Sequence, residues 1–257
     1  MSAYEGLARY YDGLTTDVDY EKWLNWYESW FAVSKVPVKL VLDLACGTGT
    51  LTCMLAQRGY SMLGTDLSGE MLFQAMEKAQ ELTCEKPMFL QQAMDELDLF
   101  GTIDACVSSL DSINYVTEEE TLQEAFRRVH TFLMPGGYFL FDVIAPEWLK
   151  KLDGELFVDE NEDVFCVWRG SYDPNTQVLT YGMDLFEREE GDCWYREQEE
   201  HQERAWSREQ LEKMLGAAGF VDIQCFGNLE RRAAGEADRR LCFVCVNGEG
   251  GQTPGQC

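Results

Sequence analysis

Basic residues are scarce in this 257-residue chain: 21 lysines and arginines stand against 46 aspartates and glutamates, a formal net charge of −25. A surface of that sign repels a phosphate backbone, so a nucleic acid partner is not expected. The chain also lacks any uninterrupted apolar run long enough to span a bilayer, and Met1 to Gly13 holds no basic segment followed by an apolar stretch. The expectation is a cytoplasmic protein with no membrane partner. Histidine is nearly absent, with His130 and His201 the only two. Among ten cysteines there is one C-x-x-C pair, Cys242 and Cys245, inside the strand-like run Leu-Cys-Phe-Val-Cys-Val, where an odd separation puts the sulfurs on opposite faces. Without a second pair at ligand spacing, neither a metal site nor a disulfide framework is expected. No internal repeat is visible.

What is present is core-forming material. Hydrophobic residues make up 46% of the chain and aromatics 12%, enough for one α/β domain with an insertion. Residues 4–33 read as helix, because Tyr20, Trp23, Tyr27, Trp30 and Phe31 recur at spacings of three, four and seven and form an aromatic stripe. From residue 38 strands and helices alternate: a buried strand over 38–44, a helix to Gly59, a strand over 61–65, and a helix capped by Ser68 and running through Leu82. Strands over 88–92, 103–108 and 138–143 follow, the last after a Pro135-Gly136-Gly137 turn. Thr117 and Glu120 have capping-box spacing for the intervening helix. Five strands separated mostly by helices imply a doubly wound parallel sheet.

The rhythm then changes. Residues 164–205 read as three antiparallel strands with turns at Asp173-Pro174-Asn175 and Glu190-Gly191-Asp192. A second capping box, Ser207 with Gln210, opens a helix to about Gly216, and strands over 220–226 and 240–246 close the fold. The division expected is a main domain of 1–145 and 206–247, with cap helices in 1–34, an insertion over 146–205, and a Gly-rich, disordered tail over 248–257.

The chemistry concentrates in Val41-Leu42-Asp43-Leu44-Ala45-Cys46-Gly47-Thr48-Gly49. A buried strand ends on an acid, and a glycine-rich turn opens a helix, which lets a ligand approach the backbone and its free N–H groups. Asp66, 23 residues after Asp43 at the end of the second strand, is placed to accept hydrogen bonds from ribose hydroxyls. That arrangement serves NAD and S-adenosylmethionine alike. Thr52 stands where a dinucleotide fingerprint wants its third glycine, and Asp43 would repel a pyrophosphate while suiting an ammonium.

These residues resemble class I S-adenosylmethionine-dependent methyltransferases, specifically the bacterial small-molecule type with an N-terminal cap helix. Asp43 to Gly49 is similar to the family's glycine-rich motif, Gly64-Thr65-Asp66-Leu67-Ser68 to its ribose-binding strand end, and Leu133 to Gly137 to its turn before the fifth strand. The resemblance implies a Rossmann-like seven-stranded sheet with a reversed final strand, plus a small antiparallel β insertion over the acceptor site. It also implies S-adenosylmethionine as cofactor, with S-adenosylhomocysteine as product. Candidate cofactor residues are Tyr11 and Trp23 from the N-terminal segment, then Asp43, Ala45, Cys46, Gly47, Gly49, Asp66, Leu67, Met71, Ala93, Met94, Ser109 and Leu110. Ala93 falls where the family usually has an acid for the adenine amino group.

Methyl transfer from a sulfonium is an in-line displacement served by alignment and exclusion of water, so no acid–base dyad need be visible. Asp111, Asn114 and Tyr115 are the candidate positioners of an acceptor, in a loop similar to the family's loop facing the methyl group. His201 is a possible base, against the alternative that it lies on a solvated strand face among acids. A small-molecule acceptor is the leading expectation; a protein acceptor and a non-catalytic cofactor-binding protein are the alternatives, and a homodimer through the insertion stays open. A nicotinamide oxidoreductase would need the third glycine and a hydride-transfer acid that cannot be placed.

Overall fold

The computed structural model describes residues 7–160, 163–188 and 193–248. Seven strands form the main sheet: β1 (Leu40–Leu44), β2 (Ser61–Asp66), β3 (Met88–Gln91), β4 (Ile103–Ser108), β5 (Leu133–Ile144), β10 (Phe220–Gly227) and β11 (Arg240–Asn247). Their order is β10-β11-β5-β4-β1-β2-β3. All neighbours run parallel except β11, which pairs antiparallel with both β5 and β10. The helices around the sheet are α1 (Tyr11–Leu14), α2 (Tyr20–Phe31), α3 (Thr50–Gln57), α4 (Gly69–Gln80), α5 (Glu119–Phe132) and α7 (Arg208–Ala218). A short helix, α6 (Pro146–Lys150), leads into a second sheet ordered β6 (Leu156–Glu160), β7 (Val164–Asp173), β8 (Val178–Arg188) and β9 (Trp194–Arg204), each pair antiparallel.

The central strands of the main sheet are buried on both faces, and strand alternation assigns their residues to one of two cores. On β11, Cys242 and Val244 join the core under α2, while Phe243 and Cys245 join the core under α5 and α7. The C-x-x-C sulfurs are therefore separated by the sheet itself, as their odd spacing requires. The aromatic stripe of α2 is buried as expected: Trp26 and Trp30 bracket Phe226 at ring-centroid distances of 5.5 and 5.3 Å, and Trp30 meets Tyr138 at 5.9 Å.

Four local expectations need correction. The helix expected over residues 4–33 is broken: Leu7–Arg9 forms one 3-10 turn, α1 lasts four residues, and α2 starts afresh at Tyr20. The intervening Thr15-Thr16-Asp17-Val18-Asp19 is poor helix material, and Asp19 instead caps α2 by accepting the Lys22 N–H at 3.0 Å. Residues 4–6 lie outside the described residues. Thr117 makes no capping box; Glu118 takes the N-cap position without a side-chain bond, while the Thr117 carbonyl accepts from Arg204 at 2.7 Å. The Pro135 turn lies inside β5 as a bulge, where Leu133 pairs with Ile103 and Tyr138 with Ala105 and Gly136 takes φ +82°. The insertion sheet has four strands, because β6, exposed along its whole length, shows no alternation of burial to betray it. The Glu190-Gly191-Asp192 turn and all of the tail beyond Gly248 lie outside the described residues.

The Ser207 capping box is complete: the Ser207 hydroxyl accepts the Gln210 N–H at 3.2 Å, and the Gln210 side chain accepts the Ser207 N–H at 2.9 Å. Ser207→Ala should cost about 1 kcal/mol of stability, read as a lowered urea midpoint at unchanged slope. An unchanged midpoint would show that the bond to Gln210 adds nothing over water.

Candidate functional site

A cavity of about 400 Å³ opens at the carboxyl ends of β1, β2 and β4, where the strand order reverses. Its floor is the turn after β1. Ala45, Gly47 and Gly49 take left-handed φ angles of 58°, 55° and 70°, which folds the chain sharply and sets Gly47, Thr48 and Thr50 in the cavity wall. Gly49 has a second reason to be glycine: a Cβ there would lie 2.8 Å from the Ala75 Cβ of α4.

Two carboxylates anchor the floor. Asp43, 2% exposed, accepts the Thr52 hydroxyl at 2.5 Å. Burial pushes its pKa up to about 7, against the pull of the Thr52 hydrogen bond and with a further push from Asp66. Asp66 accepts the Gly47 N–H at 2.8 Å and the Ser68 N–H at 2.9 Å, stapling the glycine-rich turn to the start of α4. Burial raises its pKa as well, opposed by those backbone bonds.

Tyr11 and Tyr20 close one side. Asp12, between them in sequence, accepts from Thr48 at 2.6 Å and Thr50 at 3.3 Å, and it pairs with Lys78 at 2.7 Å. The N-terminal segment is thereby pinned across the turn. The opposite side is the loop after β4, in which Leu110 and Asp111 both have left-handed φ angles, 57° and 60°. Such a conformation costs roughly 1–3 kcal/mol per residue and persists only where its surroundings fix it. Here they do: Tyr27 Oη and Ser109 Oγ lie 2.6 Å apart, the Asp111 N–H donates to Asp142 at 3.1 Å, and the Asp111 carboxylate pairs with Arg240 at 2.9 Å.

Residues 41–137 match the model of a methyltransferase domain family. The chain is 34% identical to the putative methyltransferase YqeM of Bacillus subtilis (strain 168), over 84% of this chain and 86% of that one. Its structure is similar to the crystal structure of an S-adenosylmethionine-dependent methyltransferase from Clostridium acetobutylicum ATCC 824, with a TM-score of 0.84, 29% identity, and coverage of 96% and 100% of the two chains. The chain belongs to the S-adenosylmethionine-dependent methyltransferases. A sugar N-methyltransferase, KedS8 from Streptoalloteichus sp ATCC 53650, shares the fold at a TM-score of 0.78 and 23% identity, with 97% of each chain covered.

This methyltransferase gathers most of the residues singled out by sequence around one cavity. Tyr11, Asp43, Ala45, Cys46 and Gly47 line it, as do Asp66, Leu67, Met71, Ala93 and Met94, and on the far side Ser109, Leu110 and Tyr115. Five others sit elsewhere. Trp23 is core, packed on Tyr27 at 5.9 Å. Gly49 lies behind the turn as its conformational pivot, and Asp111 faces Arg240. Asn114 is fully buried and ties three elements together, donating to the Arg204 carbonyl at 2.9 Å and accepting the Ile144 N–H at 3.0 Å. His201 is not on a solvated face: it is 1% exposed, beside Glu199 at 3.1 Å and edge-on to Tyr115 at 6.1 Å.

Sequence reasoning missed several residues that build the site. Thr52, read as an absent glycine, is the hydrogen-bond donor that holds Asp43. Asp95 lines the cavity beside Ala93 and Met94, so an acid is present two positions past Ala93. Tyr20 reads as part of the core stripe, and Thr117 and Glu118 as a helix start, yet all three line the cavity. None of these has a local signal; all depend on how separate segments meet.

Proposed function

We propose that the protein methylates a small cytoplasmic acceptor, with the cofactor held in the cavity between Asp43, Asp66 and the loop after β4. The observation that carries this is the pair of carboxylates on one floor, Asp43 buried and Asp66 half-buried, each next to a strand end. S-adenosylmethionine, when bound, supplies an electrophilic methyl group on sulfur. Asp43 is the partner for its ammonium, because a desolvated carboxylate gains most from a cation. Asp66 takes the ribose hydroxyls, Leu67 and Met71 pack on the adenine, and Asp95 offers the acceptor for its amino group that Ala93 lacks. Tyr11 and Tyr20 exclude water from the reacting end, and Tyr115 faces the acceptor.

A small acceptor is supported by the second sheet, which closes over the loop after β4, and by the shape shared with a sugar N-methyltransferase. The net charge of −25 argues against a nucleic acid acceptor. Among the described residues no helix is long and apolar enough to cross a membrane. Residues 1–145 with 206–247 form the cofactor-binding part in this reading, and 146–205 the cover. Calorimetric titration with S-adenosylhomocysteine and NAD tests it: the first should bind and the second should not, and binding of NAD alone would overturn the assignment.

Affinity should also report Asp43. Its folded carboxyl is raised to about 7, so below that pH it is protonated and has no charge to offer an ammonium. Cofactor affinity should therefore rise as pH increases from 6 to 8. Thr52→Val removes a hydrogen bond to the charged form and should weaken binding at pH 7 roughly 10-fold, moving the profile to higher pH. A pH-independent affinity would remove Asp43 from the ammonium site.

A further inference from the structure

Resting on the methyltransferase reading, we infer that Glu203 is the acceptor-side carboxylate and that it selects an amine as the group to be methylated. Glu203 lies on the inner face of β9, 4% exposed, alternating with the exposed Gln202. Its Oε2 finds no hydrogen-bond partner among the described residues. A buried carboxyl without a partner is costly and calls for a ligand. Of the two neighbouring cations, Arg240 is already taken by Asp111 and Asp142, and the exposed Arg239 acts on Glu203 only through space. Burial holds the Glu203 carboxyl well above the usual carboxylate range, with Asp111 and Asp142 pushing further and Arg240 and Arg239 only partly offsetting them.

The surroundings suit an ammonium on an apolar stem. Next along the same face comes His201, whose ring lies 5.7 Å from Trp168, and Trp168 is 6.2 Å from Tyr181. Aromatic faces beside an unpaired acid favour a cation over a neutral group. Tyr115 connects this island to the cofactor cavity: it lines the cavity and meets His201 edge-on. An amine bound there would enter as ammonium and must lose a proton before its nitrogen can be methylated. Glu203 takes that proton: an N–H bond breaks, an O–H bond forms on Oε2, and the nitrogen keeps the lone pair. The proton passes to solvent as the product leaves.

The test uses the full chain saturated with S-adenosylhomocysteine and probes it with n-propylammonium and n-butylammonium against the corresponding alcohols by calorimetry. Saturable binding of the ammonium ions, at least about tenfold tighter than the alcohols and at least about tenfold weaker in Glu203→Gln, is the expected result. Non-specific attraction to an acidic surface would survive that substitution, so equal affinity in the variant overturns the inference. Absence of saturable ammonium binding, or equal binding of the alcohols, overturns it as well. Should the variant melt below the assay temperature, the comparison of ammonium with alcohol in the unaltered protein decides. Failure of S-adenosylhomocysteine itself to bind would be a failure of the underlying reading, visible before any amine is added.

Discussion

Asp66→Ala should weaken S-adenosylhomocysteine binding about 100-fold, the sum of lost charge-assisted hydrogen bonds to two ribose hydroxyls discounted for water that enters in their place. The substitution acts twice. It removes the proposed ribose acceptor, and it releases the Gly47 and Ser68 amides that the carboxylate holds at 2.8 and 2.9 Å. Asp66→Asn separates the effects, since its carbonyl oxygen can keep one amide while the charge is gone, and about tenfold weakening is expected. The unliganded fold should suffer less than the complex. Burial raises the Asp66 carboxyl, so its ionised form opposes folding; that contribution to stability is present below the unfolded pKa and is lost as pH rises through the folded one. Removing the carboxyl thus relieves a cost at neutral pH. Calorimetry and thermal melting on the same three proteins check this, and an alanine variant that binds within twofold of the original would dismiss Asp66 from the ribose site.

How much of this was legible in the sequence varies with the range of the interaction. Periodicity gives the seven strands of the main sheet to within a residue or two at most ends; the central strands β1, β4 and β11 are buried on both faces and read as near-continuous apolar runs, while the edge strands β3 and β10 are partly exposed. Ser68 and Ser207 are legible as caps because each hydroxyl and the backbone amide that donates to it are three residues apart. The glycine-rich turn and the two acids were legible because their chemistry is local to strand ends. What failed was decided by distant segments. Asn114 looked like a ligand-facing polar residue, yet its side chain joins the carbonyl of Arg204 to the amide of Ile144, residues 90 and 30 positions away. Thr52 read as a defect in a motif because its partner, Asp43, lies in the preceding strand. His201 read as solvated because its chain neighbours are acidic, whereas strand alternation turns it inward and turns Glu200 and Gln202 out. The exposed strand β6 carries no period at all.

Arg240→Met should cost about 3–5 kcal/mol of folding stability at neutral pH, the largest single effect expected from a residue outside the cavity wall. Asp142 is 1% exposed in the centre of the sheet, and its charge is balanced by the Arg240 guanidinium and the Asp111 N–H. Burial pushes its pKa up to about 6 even with Arg240 in place. Without the guanidinium, Asp142 and Asp111 face each other across the loop after β4 with no cation between them. The sign with pH follows from the raised value. A carboxyl whose folded pKa is raised contributes its stability below the unfolded pKa and loses it as pH rises through the folded one, so the variant should be weakest above about pH 7 and recover toward pH 4. Adding Asp142→Asn to Arg240→Met should restore most of the loss, because an amide needs no counter-charge and its oxygen can still accept the Asp111 N–H. The consequence reaches the site. This pair is one of the anchors of the left-handed backbone at Leu110 and Asp111, so the single variant should bind S-adenosylhomocysteine less tightly even at temperatures where it is fully folded, and the double variant should regain part of that affinity. Urea unfolding at pH 5 and pH 8 with calorimetry on the folded proteins decides it. Equal stability of the single and double variants would mean that Asp142 does not depend on Arg240 for its charge.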